Sequence, residues 1–218
     1  LGAAEVYAVG DGGTIIRHDG KAWGAMTSGT SATLRGVWAA GPKDVFAVGD
    51  GGTVLRFDGK AWTVTTLSTS AQLSAVSGSG PKNVYAVGGA GAVWRYNGNT
   101  WSEISTGLSD LADLNDVWVG GPDAVFAVGD SGTIIRGGGG GWTRLSPGTS
   151  RRLRRVWGSG PANVRVAGDG GTLLRFDGKA WIPLASGTHH DLHGLWASAD
   201  RKVHVAVGER GTILARRP

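Results

Sequence analysis

The chain has 218 residues, 40 of them glycine and 10 tryptophan, with 40% hydrophobic and 18% charged residues, a formal charge of +5 and no cysteine. That composition suits one globular domain and excludes disulfides, thiolate metal sites and a thiol nucleophile, while no apolar run approaches the roughly 18 residues of a membrane span. The basic residues are scattered apart from a cluster at Arg151 to Arg155, a pattern that disfavours nucleic acid as the partner.

From its first turn to its last, the chain repeats. A glycine that follows valine or alanine recurs at Gly10, Gly49, Gly88, Gly129, Gly168 and Gly208, in steps of 39, 39, 41, 39 and 40 residues. A tryptophan recurs at Trp23, Trp62, Trp101, Trp142 and Trp181, in steps of 39, 39, 41 and 39. Within one period, four short apolar runs separated by turn residues predict four antiparallel strands. In the first complete unit they are strand A, Leu34 to Ala39; B, Val45 to Gly49; C, Thr53 to Phe57; and D, Ala61 to Thr65. A Gly41-Pro42 turn joins A to B, Asp50-Gly51-Gly52 joins B to C, and Asp58-Gly59 joins C to D, the last as a type I′ hairpin. Asp19-Gly20, Asn97-Gly98 and Asp177-Gly178 repeat that hairpin signal.

Four strands per repeat of about 39 residues is the blade of an all-β propeller. The chain opens at the A-to-B turn of one unit and closes after strand C of the sixth, so 22 strands are expected. Six four-stranded blades would need 24. The two lacking, a D and an A, form one contiguous upstream piece of about 16 residues by the repeat arithmetic. The expectation is therefore a single six-bladed domain, with five blades or a fragment of seven as alternatives.

At the C-to-D hairpin, Arg56-Phe57-Asp58-Gly59-Lys60-Ala61-Trp62 resembles the Asp-box of bacterial BNR propellers, with Asp and Gly adjacent and the leading Ser/Thr absent. The phrase Val-Gly-Asp-Gly-Gly-Thr, and Val156 to Pro161 (Val-Trp-Gly-Ser-Gly-Pro), resemble propellers of the photosystem II stability and assembly factor type and secreted bacterial repeat proteins. The resemblance spans almost the whole chain. It implies a binding or assembly role and an extracellular or periplasmic location.

What recurs in every unit reads as scaffold. The tryptophans of strands A and D, and Trp94 in strand C, are expected in the core. The B-to-C aspartates Asp11, Asp50, Asp130 and Asp169 are expected to bond amides of their own turns. The strand C arginines Arg17, Arg56, Arg95, Arg136 and Arg175 form an outward, partly paired row.

Function is expected where the units differ, in the D-to-A loops around one channel mouth. Arg35, Ser74, Asn115, Arg154 and His193 occupy equivalent places there, each following a shared leucine. Arg151, Arg152, Arg154 and Arg155 form a basic sector suited to acidic groups, balanced by Asp110, Asp113 and Asp116 of the preceding loop. His189, His190, Asp191 and His193 supply imidazole and carboxylate of the kinds that bind metals, but their spacing is only permissive and no metal is assigned. Arg35, Asn115, Asp116, the four arginines and the three histidines are thus the candidate binding residues. Two irregularities are left without a functional account: Arg165 where other B strands have Tyr7, Phe46, Tyr85 and Phe126, and the Gly137 to Gly141 run, expected to loosen its hairpin.

No nucleophile, base and orienter can be singled out, and the sialidase set of an arginine triad with tyrosine and glutamate finds few candidates, since only Tyr7, Tyr85, Tyr96, Glu5, Glu103 and Glu209 are available. The expected function is a non-enzymatic scaffold without cofactor that binds a protein or glycan of acidic character, the lectin being the alternative. Unequal loops favour a protein, because a lectin repeat would expose the same set in several blades.

Overall fold

The computed structural model describes residues 5–198 and 203–216. Among them are 22 β-strands, the number expected from the repeat, with single-turn 3-10 segments at the B-to-C turns. The chain divides into two compact units, Leu1–Ile104 and Ser105–Pro218. The first unit holds three sheets: β1 (Val6–Val9), β2 (Ile15–His18) and β3 (Trp23–Met26); β4 (Leu34–Gly41), β5 (Asp44–Gly49), β6 (Thr53–Phe57) and β7 (Trp62–Thr66); and β8 (Leu73–Gly80), β9 (Asn83–Gly88), β10 (Val93–Tyr96) and β11 (Trp101–Glu103). The second holds β12 (Leu114–Gly121), β13 (Ala124–Gly129), β14 (Ile134–Gly138) and β15 (Gly141–Leu145); β16 (Leu153–Gly160), β17 (Asn163–Gly168), β18 (Leu173–Phe176) and β19 (Trp181–Pro183); and β20 (Leu192–Ala197), β21 (His204–Gly208) and β22 (Ile213–Arg216). Strand order within every sheet follows the chain, and every pairing is antiparallel. These six blades make the protein an all-β propeller. No helix among the described residues is long and apolar enough to cross a membrane.

β5, in the middle sheet of the first unit, is apolar on both faces because sheets of the same unit cover both. Val45, Phe46, Ala47 and Val48 are wholly buried. In the first unit Phe46, Val48 and Val54 pack on Leu73, Val76 and Val84 of the next sheet, and in the second Phe126, Val128 and Ile134 pack on Leu153, Val156 and Val164. Aromatic rings extend both clusters. Phe46 lies 5.4 Å from Tyr96 and 6.3 Å from Trp101, while Phe126 lies 5.6 Å from Phe176 and 6.3 Å from Trp181. The strand C arginines stand over these rings: Arg56, Arg95 and Arg136 sit 6.0, 5.8 and 5.5 Å from the centroids of Phe46, Tyr85 and Phe126, their cross-strand partners. Each places a cation on a π face while the aliphatic stem covers apolar surface.

The tryptophans divide more finely than their repetition suggests. Trp94 is buried as expected, and Trp38, Trp62, Trp101, Trp118 and Trp181 are half-buried between sheets. Trp23 and Trp196, however, are 53% and 56% exposed, which corrects the expectation of a core role for them. The cause is their place in the end sheets. Trp38 and Trp118 lie against Gly78 and Gly158 of the following sheet, so closely that a Cβ there would meet the indole at 2.6 and 2.8 Å, whereas no sheet of its own unit follows Trp196. Trp23 contacts His18 where its counterparts stack on Phe57, Tyr96 or Phe176.

Two hairpin details also differ from expectation. At Asp58-Gly59 only Gly59 has a positive φ (95°), so the turn is not type I′; instead the Asp58 carboxylate accepts the amides of Lys60 and Ala61 at 2.8 and 2.9 Å, closing a four-residue loop. The glycine run keeps the strand ladder. β14 and β15 pair as far as Gly138 and Gly141, and the indole of Trp142 lies across Gly137, where a Cβ would fall 2.1 Å from its ring.

Candidate functional site

Strand A of each of the five sheets that have one begins with a β-bulge. The register jumps between Leu34 and Gly36, Leu73 and Ala75, Leu114 and Asp116, Leu153 and Arg155, and Leu192 and Gly194. The skipped residues are Arg35, Ser74, Asn115, Arg154 and His193, the positions the sequence marks as equivalent. A bulge residue leaves the ladder and turns its side chain toward the sheet's end. In three of the sheets it meets the B-to-C turn there. Arg35 bonds Asp50 through Nε and Nη2 at 2.5 and 3.0 Å, Asn115 Nδ2 donates to Asp130 at 2.7 Å, and Arg154 Nε pairs with Asp169. Asp50, Asp130 and Asp169 therefore bind the bulge side chains, a correction to the expectation that they bond amides of their own turns. The Arg35 bond holds the Asp50 carboxyl below its usual range.

Arg35 belongs to the first unit. The remaining candidates lie in the second, where Asn115, Asp116 and the four arginines form a connected crest. Arg152 donates from Nη2 to Asn115 Oδ1 (2.9 Å) and from Nε to Asp130 (2.7 Å), and Asn115 Nδ2 also reaches the Leu153 carbonyl at 2.9 Å. Arg154 spans two carboxylates, Asp169 and Asp191, the latter at 3.1 Å. Asp191 accepts the Gly170 amide at 2.8 Å, and that bond, with Arg154, holds its carboxyl below the ordinary range. Arg151 donates to the Gly170 carbonyl at 2.5 Å, and Arg155 donates to the Arg154 carbonyl at 2.8 Å. Gly132 and Gly171, with φ of +68° and +72°, let the turns pass under the Thr149 and Thr188 carbonyls, where a Cβ would fall at 2.0 Å.

Asp116 lies one residue beyond its bulge and bridges two A strands. Its carboxylate accepts the amide of Val117 at 3.0 Å and that of Val156, on the next strand A, at 2.9 Å. Part of the residue reaches solvent, yet the carboxylate itself is crowded by protein. Desolvation pushes its pKa up to about 6, with Arg155 and the two amides pulling the other way. Among the histidines, His190 Nδ1 lies 2.9 Å from the Thr212 hydroxyl, while His189 and His193 are exposed. Among the described residues, no three His, Asp or Glu side chains gather to hold a metal ion.

The basic sector is thus balanced, but mainly by carboxylates other than those expected. Asp130, Asp169 and Asp191 meet the arginines, and from the acidic loop Asp116 faces Arg155. Asp110 contributes its carbonyl, which with that of Ser109 accepts Arg144 at 3.1 and 2.7 Å. A sequence signal for the partners did exist: 15 residues separate Arg35 from Asp50, Asn115 from Asp130, and Arg154 from Asp169. Arg154 is consumed as a strut, whereas Arg151, Arg152 and Arg155 keep exposed guanidinium faces above it.

No protein-family model matches the chain, and no curated protein sequence does. Solved propellers do match. YCF48 bound to D1 peptide is 16% identical, with 98% of this chain and 88% of that one covered, at a TM-score of 0.50. The C-terminal WD40 domain of Sif2 is 12% identical, covering 98% and 64%, at a TM-score of 0.74. A catalytically inactive virginiamycin B lyase from Staphylococcus aureus, with quinupristin, is 14% identical, covering 98% and 80%, at 0.64. At such identities the likeness establishes the propeller fold and nothing finer.

Proposed function

We propose that the chain is a non-enzymatic scaffold that binds a segment of another protein on the crest of its second unit. The observation that carries this reading is the division of labour among the arginines. Arg154 is held between Asp169 and Asp191 and fixes the crest, while Arg151, Arg152 and Arg155 stay exposed, pre-positioned by backbone carbonyls or by Asp130 and Asn115. Planar guanidinium groups held in place by such contacts recognise carboxylate and carbonyl groups at small entropic cost. The crest carboxylates are bound to arginines or amides, an arrangement that fixes shape rather than moves protons. A similarly folded protein, YCF48, binds a peptide, which supports a protein segment over a glycan as the partner. A location outside the cytoplasm belongs to the same reading.

Selection from a displayed random-peptide library tests it. Enriched peptides should bind the unaltered chain and lose binding to the Arg151→Glu, Arg152→Glu, Arg155→Glu variant. Failure to enrich any peptide, or enrichment indifferent to the three substitutions, contradicts the proposal.

A further inference from the structure

A second binding site lies in the first unit, away from the bulges, and it is marked by a local break in the repeat. Cross-strand pairing sets Arg56 beside Thr63 and Val54 beside Thr65, so these four residues share the face that β6 and β7 turn toward the next sheet. At the position of Thr65 the other sheets carry apolar residues: Met26 opposite Ile15, Leu145 opposite Ile134, Leu184 bonded to Leu173, and Ile104 bonded to Val93. Leu145 packs into the core of its unit. Across the interface the change is reversed, because Trp94 stands where Leu55, Ile135 and Leu174 stand elsewhere. A small polar residue thus faces an enlarged aromatic one. Between them runs a groove of about 600 Å³.

The walls of this groove are chemically mixed. One side carries Trp94, Tyr96 and Trp101, of which Trp101 is half-buried, stacked on Tyr96 at 5.4 Å. The other carries the hydroxyls of Thr63, Thr65 and Ser68, all exposed and without a hydrogen bond to the described protein. Asn99 adds an amide at the mouth, where Asp58 and Arg56 also stand, the latter paired with Asp44 at 2.6 Å. An apolar side chain would be better served by the leucine of the other blades. An anion would meet Asp58, and a cation would meet Arg56. What matches solvent-facing hydroxyls on one wall and an indole on the other is a neutral ring with polar edges and apolar C–H faces.

We infer that this groove is a binding site for a neutral carbohydrate of mono- or disaccharide size, a volume within the ordinary range of ligand sites. It is independent of the crest. The test titrates the whole chain with a panel of neutral mono- and disaccharides based on glucose, galactose, mannose and N-acetylglucosamine, read by tryptophan fluorescence and calorimetry. At least one member should bind saturably at millimolar concentration. Thr65→Leu, which restores the residue type of the other blades and leaves the melting temperature equal or higher, should weaken binding about tenfold or more. Charge reversal at Arg151, Arg152 and Arg155 should leave it unchanged. Absence of saturable binding across the panel, preference for an acidic sugar, or equal affinity in Thr65→Leu would overturn the inference.

Discussion

The carboxylate of Asp116 accepts a 2.9 Å hydrogen bond from the backbone amide of Val156, joining the A strands of two neighbouring sheets. β16 is the first strand of its sheet, so its free edge has amides without a strand partner, and one acidic side chain here takes the place of a further strand. Its cost is desolvation. With the carboxyl raised from 3.8 to about 6 in the folded protein, the ionised form is less at home there than in the unfolded chain. The sign follows: the stabilisation linked to this group is fully present below about pH 4 and is lost as pH rises through 6, amounting to at most about 3 kcal/mol. Denaturant unfolding between pH 4 and 7 should show that decline in the unaltered protein and not in Asp116→Asn. Parallel slopes for the two proteins would disprove it.

Arg154 should matter for stability more than for partner affinity. Removing it leaves Asp169 and Asp191 close together without their shared cation, and the expected loss for Arg154→Ala is about 1–2 kcal/mol, reduced from the buried case because the group is partly solvated. Adding Asp191→Asn should recover part of it. Urea unfolding of the single and double variants measures both quantities, and additive losses would show that the strut is not shared.

Gly137 lies beneath the indole of Trp142, so Gly137→Ala should destabilise by about 1–3 kcal/mol through forced displacement of the ring. Gly140, in the same run, has open space where its Cβ would stand. Gly140→Ala should therefore be nearly neutral, and thermal unfolding of the pair separates a packing requirement at one glycine from general looseness of the run. Equal effects would remove the packing explanation.

The strands were legible because each glycine-bounded apolar run recurs at nearly constant spacing, and both the observed count and the bulge positions follow that repetition. Trp23 and Trp196 were not, because a residue's burial depends on the sheet beside it and not on its place in the repeat. The surroundings of Gly137 were hidden for a related reason: the space above it is filled by the indole of Trp142, visible only in three dimensions. At the crest the arginines were evident from their clustering. Their partners Asp130 and Asp169 were hidden by a plausible local role, and only the recurring 15-residue interval to the bulge betrays the actual one.

Binding through the crest is tested most directly by titrating a selected peptide into the unaltered chain and into the Arg151→Glu, Arg152→Glu, Arg155→Glu variant, at low and at physiological salt. Exposed guanidinium contacts should make the affinity fall with salt in the unaltered protein. Charge reversal should reduce affinity at least about tenfold, with the melting temperature retained. Undiminished affinity in a folded variant would contradict a crest-binding scaffold.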